Sequence, residues 1–189
     1  MNADIDISNV VLTTPRLVLR PWRMNDVDDM YEYASVDGVG QPAGWAPHTS
    51  REESERIVSL FIEGKKTFAI ELNGKVVGSV GIDRYDEKRF PAFDALRARE
   101  IGYVLAKPCW GMGLMTEAVA RVLEYLFVDL SLDAVFCGYF LFNRRSARVQ
   151  EKNGFTPIDR GRIRTALGTV EDEAMLVITR GTYLARRGK

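Results

Sequence analysis

Tyr103-Val104-Leu105-Ala106-Lys107-Pro108-Cys109-Trp110-Gly111-Met112-Gly113-Leu114-Met115-Thr116-Glu117-Ala118 reads as a strand that ends in a glycine-bearing turn and restarts as an amphipathic helix. The strand opens upstream at Glu100-Ile101-Gly102, and the helix continues to Val128 on Met115, Ala118, Val119, Val122, Leu123 and Leu126, the spacing of one buried helical face. A second apolar run, Ala134 to Phe140, follows as a buried strand. A strand, a crossover helix and another strand require parallel pairing. At the turn, free N–H groups and the positive end of the helix dipole, approached over glycines, form a cradle for phosphate. Alone, G-x-G is more often a tight turn than a ligand site. A P-loop is excluded because no GK[ST] follows, and the dinucleotide fingerprint is excluded because its third glycine position holds Thr116,.

Working outward, Thr67–Leu72 and Lys75–Ile82 flank Asn73-Gly74, a two-residue hairpin turn that supplies positive φ at both positions. Before it, Leu17-Val18-Leu19-Arg20 is a short strand. Asn25 is positioned to cap a helix through Val27, Met30 and Tyr31, and Ser50-Arg51-Glu52-Glu53 has capping-box spacing for a second helix that ends at Gly64,. Residues 83–99 are charged and aperiodic and read as a long loop. Beyond Phe140, a short helix with Ala147, Val149 and Lys152 stops at Gly154, Phe155 opens the C-terminal strands, and Ala174–Ile178 is the last of them,. The antiparallel hairpin and the parallel crossover together give an α/β (α+β) fold. We expect a mixed, mostly antiparallel central sheet of about six to seven strands with helices on both faces.

Composition narrows the function. A length of 189 residues favours one domain, and 46% hydrophobic with 28% charged residues excludes disorder and fibrous repeats,. Twenty-six basic residues balance twenty-six acidic ones, against the basic excess of a nucleic-acid binder. Cys109 and Cys137 form no CxxC pair and His48 is the single histidine, so no metal site is expected and the thiols read as free in a reducing compartment. The acidic start has no apolar signal core, and no apolar run approaches the roughly 20 residues of a membrane span. The expectation is a cytoplasmic monomer or homodimer with no nucleic acid or membrane partner.

A second constellation lies past the buried strand: Asn143-Arg144-Arg145-Ser146-Ala147-Arg148-Val149-Gln150-Glu151-Lys152-Asn153-Gly154-Phe155. By itself it is an Asn-capped surface helix with a glycine stop. In order with the glycine turn it resembles the GCN5-related N-acetyltransferases (GNAT), especially their ribosomal-protein N-terminal acetyltransferase branch. The family's phosphate motif is similar to Pro108 through Gly113, with proline in place of the usual glutamine or arginine. The branch's W-G-x-G-x-x-x-E-A matches Trp110 through Ala118. Its T-x-R-L-x-L-R is similar to Thr14–Arg20, and its N-x-x-S…K-x-G-F to Asn143, Ser146, Lys152, Gly154 and Phe155. The resemblance covers about residues 12–180 and implies a single domain over residues 1–189.

The resemblance implies acetyl-CoA as cosubstrate, held where two parallel strands, 100–106 and 134–140, splay into a V. It implies that Trp110, Gly111, Met112, Gly113 and Leu114 carry the pyrophosphate on backbone amides, that Val104 or Leu105 N–H holds the acetyl oxygen, and that Asn143 binds the cofactor arm. The oxygen contact is an oxyanion-type stabilisation. Many members carry a tyrosine seven residues after the Asn to protonate the departing thiolate. Here Gln150 stands there, and Ser146 is the candidate that also hydrogen-bonds the sulfur. Candidate bases are Glu100, at the start of the strand, and His48, the one side chain with an ordinary pKa near neutrality. Trp45 and the loops at 36–50 and 83–99 are expected to shape the acceptor pocket. The acceptor reading is a protein α-amine, whose pKa of about 7.7–8.0 asks less of a base than lysine at about 10.4. A small-molecule amine and a non-catalytic acyl-CoA sensor are the alternatives. Cys109 is not read as a nucleophile, because no base pairs with it.

Overall fold

In the computed structural model, which describes residues 1–188, strands β1 (Leu12–Thr13) and β2 (Leu17–Pro21) lead to helices α1 (Val27–Ala34) and α2 (Arg51–Gly64). Strands β3 (Thr67–Leu72), β4 (Lys75–Asp83) and β5 (Ala98–Leu105) follow, then α3 (Leu114–Glu124), β6 (Ala134–Phe140), α4 (Arg144–Asn153), β7 (Thr156–Arg164), β8 (Val170–Thr179) and α5 (Arg180–Arg187). All eight strands form one sheet in the order β1-β2-β3-β4-β5-β6-β8-β7. Among the strands of the described residues only β5 and β6 pair in parallel, with one isolated parallel bridge between Asn2 and Ala98. The eighth strand, beyond the expected seven, is the two-residue β1, too short to give a period in the sequence.

The faces follow from register. Phe68, Ile70, Val80 and Ile82 are fully buried, and Phe68 meets Tyr125 edge-on at 6.2 Å, below α3. Through the pairs Val80↔Tyr103 and Ile82↔Ile101, this α3 side also holds Tyr103 and Ile101. On the opposite face α1 packs on β4, with the Tyr33 hydroxyl facing Ser79. Ser79↔Val104 and Asp83↔Glu100 put Val104 and Glu100 on that second face. Phe136, the partner of Glu100 in β6, is there too.

Four local expectations are corrected. Asn25 does not cap α1: a single tight turn, Met24–Asp26, precedes it, and Asp26 is the N-cap residue. The Asp26 carboxylate accepts from Arg23 N (2.8 Å) and, at 2.8 Å on each oxygen, from buried Arg20. Residues 83–99 are not simply loop. Ala98 and Arg99 belong to β5, and around Phe136 Tyr85 and Phe90 stack at 4.7 and 5.2 Å while Phe93 meets it edge-on at 4.9 Å, a small second core that charged neighbours hide from any periodicity. The helix from Leu114 changes to a π-helical turn at Tyr125–Asp129. Helix α5 was not foreseen, although Thr179 caps it through Thr182 N at 3.3 Å. Ser50 does cap α2, accepting from Glu53 N at 3.2 Å, while the Glu53 carboxylate bonds Thr49 instead of closing the box.

Candidate active site

The feature that makes a site is a break in the sheet. β5 and β6 pair only at Ala98–Glu100 with Ala134–Phe136. Beyond that, β5 stays with β4 as far as Leu105, and β6 stays with β8 as far as Phe140. The strands splay, as expected, and a cavity of about 350 Å³ lies at the opening, between β5, the glycine turn and α4.

Its phosphate-like end is built by local chain chemistry. Gly111 and Gly113 sit at φ 78° and 76°, a region that a side chain strains. Gly113 is the N-cap of α3 and no side chain caps that helix, so the first-turn amides keep their donors free for a ligand. The turn is held from behind. Arg16 donates to the Met112 carbonyl at 2.9 Å and to Glu117 at 2.7 and 2.6 Å, and Thr14 donates to the same Glu117. Trp110 donates its indole N–H to the Leu105 carbonyl at 2.7 Å, fixing the end of β5, and the Arg145 guanidinium lies 3.9 Å from its ring centroid.

Of the residues expected at the cofactor, Val104, Leu105, Trp110, Gly111, Gly113, Leu114, Asn143 and Ser146 line this cavity. Met112 does not. Its side chain is exposed, and its carbonyl serves the Arg16 clamp. Arg145, Arg148 and Lys152 add positive charge, while Arg144 is exposed outside the lining. Asn143 Oδ1 caps α4 through Ser146 N at 3.1 Å, and its Nδ2 donates to the Pro42 carbonyl at 3.3 Å. It thereby ties α4 to the 36–50 loop across the mouth. Cys109 lines the cavity as a buried free thiol whose pKa burial raises, the opposite of an activated nucleophile.

Deeper in, the sequence missed a residue. The Tyr103 phenol, from β5, meets the Ser146 hydroxyl at 2.9 Å, and fully buried Gln150 places its Nε2 at 3.3 Å from Ser146 Oγ and 3.5 Å from the phenol. Burial pushes the Tyr103 pKa well above its ordinary value. In the sequence Tyr103 is one aromatic among strand residues. Only the splay reveals that its ring crosses to α4.

The candidate bases separate. Glu100 is on the other face of β5, where burial, then Glu173 and Asp83, raise its pKa to about 7 against the pull of Arg89. Glu173 pairs with Arg89 at 2.7 Å, and Arg89 also holds Asp159 at 2.8 Å. Between Glu100 and Val104 on this face stands Gly102, with nothing within 4 Å of where a Cβ would point. On this face of β5 no side chain therefore stands between Glu100 and Val104. His48 lies elsewhere. Its Nδ1 is 2.8 Å from Ser54, its ring packs 5.3 Å from Trp45, and burial lowers its pKa. Neither His48 nor Trp45 lines the cavity. Among the described residues no group of three or more His, Cys, Asp or Glu is placed to hold a metal ion, and no helix is long and apolar enough to cross a membrane.

A phosphate-bearing thioester such as acetyl-CoA fits this cavity: uncapped amides and three cations at one end, apolar β5 walls, and a hydroxyl at the depth of the V. Comparison with known proteins agrees. The uncharacterized N-acetyltransferase p20 of Bacillus licheniformis is 29% identical over 149 residues, 75% of this chain and 74% of that protein. The structure of an acetyltransferase (GNAT family) from Bacillus anthracis superposes with a TM-score of 0.79 at 23% identity, covering 91% of this chain and 99% of that one. The ribosomal L7/L12 alpha-N-protein acetyltransferase RimL gives a TM-score of 0.73 at 18% identity over 90% of this chain and 94% of its own. The acetyltransferase (GNAT) domain family matches residues 16–156, the stretch from the Arg16 clamp through the glycine turn to the end of α4, and the chain belongs to that family of N-acetyltransferases.

Proposed function

We propose that this enzyme moves an acetyl group from acetyl-CoA directly to the α-amine of a protein N-terminus. The observation that carries the reading is Glu100, a carboxyl group with a pKa of about 7, on the face of β5 that it shares with the cavity residue Val104, with only Gly102 between them. An α-ammonium at about 7.7–8.0 loses its proton to such a base uphill by about one pKa unit, whereas a lysine ammonium at about 10.4 faces more than three units, about 4–5 kcal/mol. The base therefore suits an α-amine. Glu100 is the base in preference to His48, which is engaged with Ser54, and it takes the amine's proton across Gly102, directly or through solvent. The backbone N–H of Val104 or Leu105 holds the acetyl oxygen, Asn143 steadies the arm, and Ser146 faces the departing sulfur. The likeness in fold to RimL, an alpha-N-protein acetyltransferase, supports the same acceptor class.

The test is CoA release from acetyl-CoA with two acceptor panels, peptides beginning with Ala or Ser and small amines, with the product located by mass spectrometry. Higher kcat/KM for peptides, with the acetyl group on the α-nitrogen, is the expected outcome. Preference for small amines transfers the assignment to the small-molecule alternative. Acetyl-CoA binding with no release in either panel makes the protein an acyl-CoA sensor.

A further inference from the structure

Ser146 has a hydrogen-bond environment that decides which way its own proton points. Gln150 Nε2 lies 3.0 Å from the Gly138 carbonyl, which only accepts, so the amide nitrogen faces this side and one N–H remains for Ser146 Oγ at 3.3 Å,. The Gln150 Oε1 is buried without a partner, so the residue is held at a cost that an apolar side chain of the same shape would avoid. Tyr103 places its phenol 2.9 Å from Ser146 Oγ and 3.2 Å from the Ser146 carbonyl. A carbonyl oxygen can only accept, so the phenol proton lies on the Ser146 side, shared between that carbonyl and the nearer Oγ, and the phenol is the donor in both contacts,. A hydroxyl oxygen accepts two hydrogen bonds. With the phenol and the amide filling both positions, the Ser146 proton is left to point into the cavity.

We infer that Tyr103 and Gln150 are positioning residues that fix the Ser146 hydroxyl as a hydrogen-bond donor toward the leaving sulfur. The inference rests on the assignment of Ser146 to that sulfur. In the step concerned the amine nitrogen bonds the acyl carbon, and the carbon–sulfur bond breaks with its electron pair going to sulfur. The Ser146 O–H stabilises that sulfur without giving up its proton, and the proton the thiolate finally takes is the one the amine released, returned through solvent. Tyr103 and Gln150 keep their protons and strengthen the Ser146 dipole through the chain of bonds. The arrangement also explains how the chain manages with glutamine at the family's tyrosine position: the phenol arrives from β5 instead of α4.

The first readout needs no acceptor. CoA is bound to the protein, and its thiol is titrated by thiolate ultraviolet absorbance, as the difference with and without CoA, in wild type, Ser146→Ala, Tyr103→Phe and the double variant. The bound thiol is expected to titrate about half to one unit lower in wild type than in Ser146→Ala, Tyr103→Phe to lose most of that difference, and the double variant to match Ser146→Ala. In single-turnover transfer, Tyr103→Phe should slow the step about five- to twentyfold with the acetyl-CoA KM within about twofold, and should slow Ser146→Ala no further. An unchanged thiol titration in Tyr103→Phe overturns the inference, as does an equal loss of rate in both backgrounds, which would make Tyr103 a packing residue. Should Tyr103→Phe not fold, Gln150→Met makes the same test, since it removes the orphaned acceptor along with the donor. A wrong acceptor assignment shows only in the wild-type panel and leaves the thiol titration standing.

Discussion

Replacing Glu100 by glutamine perturbs stability and catalysis in opposite directions, and the pH at which each effect appears is set by one pKa. Burial and the nearby Glu173 and Asp83 raise the Glu100 pKa from 4.5 to about 7. Between those values the native state holds a proton that the unfolded chain has lost, so wild-type stability falls as pH rises, and the whole penalty is present above about pH 7. The shift corresponds to about 3 kcal/mol. Glu100→Gln carries no charge at any pH and escapes the penalty. Its melting temperature should equal that of wild type near pH 4.5 and exceed it at pH 8.5, by about 6–12 °C for a chain of this length. Transfer should change the other way. Wild-type kcat/KM should climb tenfold per pH unit up to about 7 through this group, while Glu100→Gln is slow and loses that limb. The assays are thermal melts across pH and CoA release across the same range. A melting difference that does not vary with pH would refute the burial argument. A variant that keeps the limb would remove Glu100 from the proton's path.

Three other perturbations test separate parts of the molecule. Gly111→Val meets no atom within 4 Å but must hold φ near 78°, so calorimetry should show weakened acetyl-CoA binding in a folded protein destabilised by about 1–2 kcal/mol; unchanged affinity would move the phosphate site. Asp26→Asn breaks the buried pair with Arg20, leaving the guanidinium with Glu71 at 2.8 Å, and chemical denaturation should register a loss of about 3 kcal/mol with activity per folded molecule intact. Acetyl-CoA at a hundred times its Kd should stabilise the native state by about 2.7 kcal/mol, read as a rise in melting temperature that ATP at equal concentration does not reproduce; equal shifts would deny a dedicated CoA site.

Much of this was legible because the informative signals are local. The Asn73-Gly74 turn, the Ser50 cap and the glycine turn before α3 are short-range chemistry, and each stands where the sequence places it. What the sequence hides depends on distant partners. Thr14, Arg16 and Glu117 read as letters of two separate motifs, yet they form one clamp across about a hundred residues of chain. Tyr85, Phe90 and Phe93 carry no period because they pack on a single ring, Phe136. Tyr103 and Gln150 acquire meaning only once β5 and β6 part. The same holds for Glu100, which looks like a solvated strand end until the fold buries it within reach of the charge of Glu173, from β8.

That parting also makes the sheet a mechanical device. Three residue pairs at Ala98–Glu100 and Ala134–Phe136 are the fulcrum between two stiff plates, β1–β5 on one side and β6–β8 with β7 on the other. Beyond the fulcrum the plates are joined by the contacts of Tyr103 with Ser146 and Gln150 and, at the 36–50 loop, by hydrogen bonds to two carbonyls: Pro42 with Asn143 and Gly44 with Ala166 N at 3.2 Å. These links are single contacts, whereas each plate is laddered along its strands. A small rotation at the fulcrum becomes a large change of gape at the mouth. Amide exchange should therefore be faster at Ala166, whose N–H makes one of these links, than across the fulcrum.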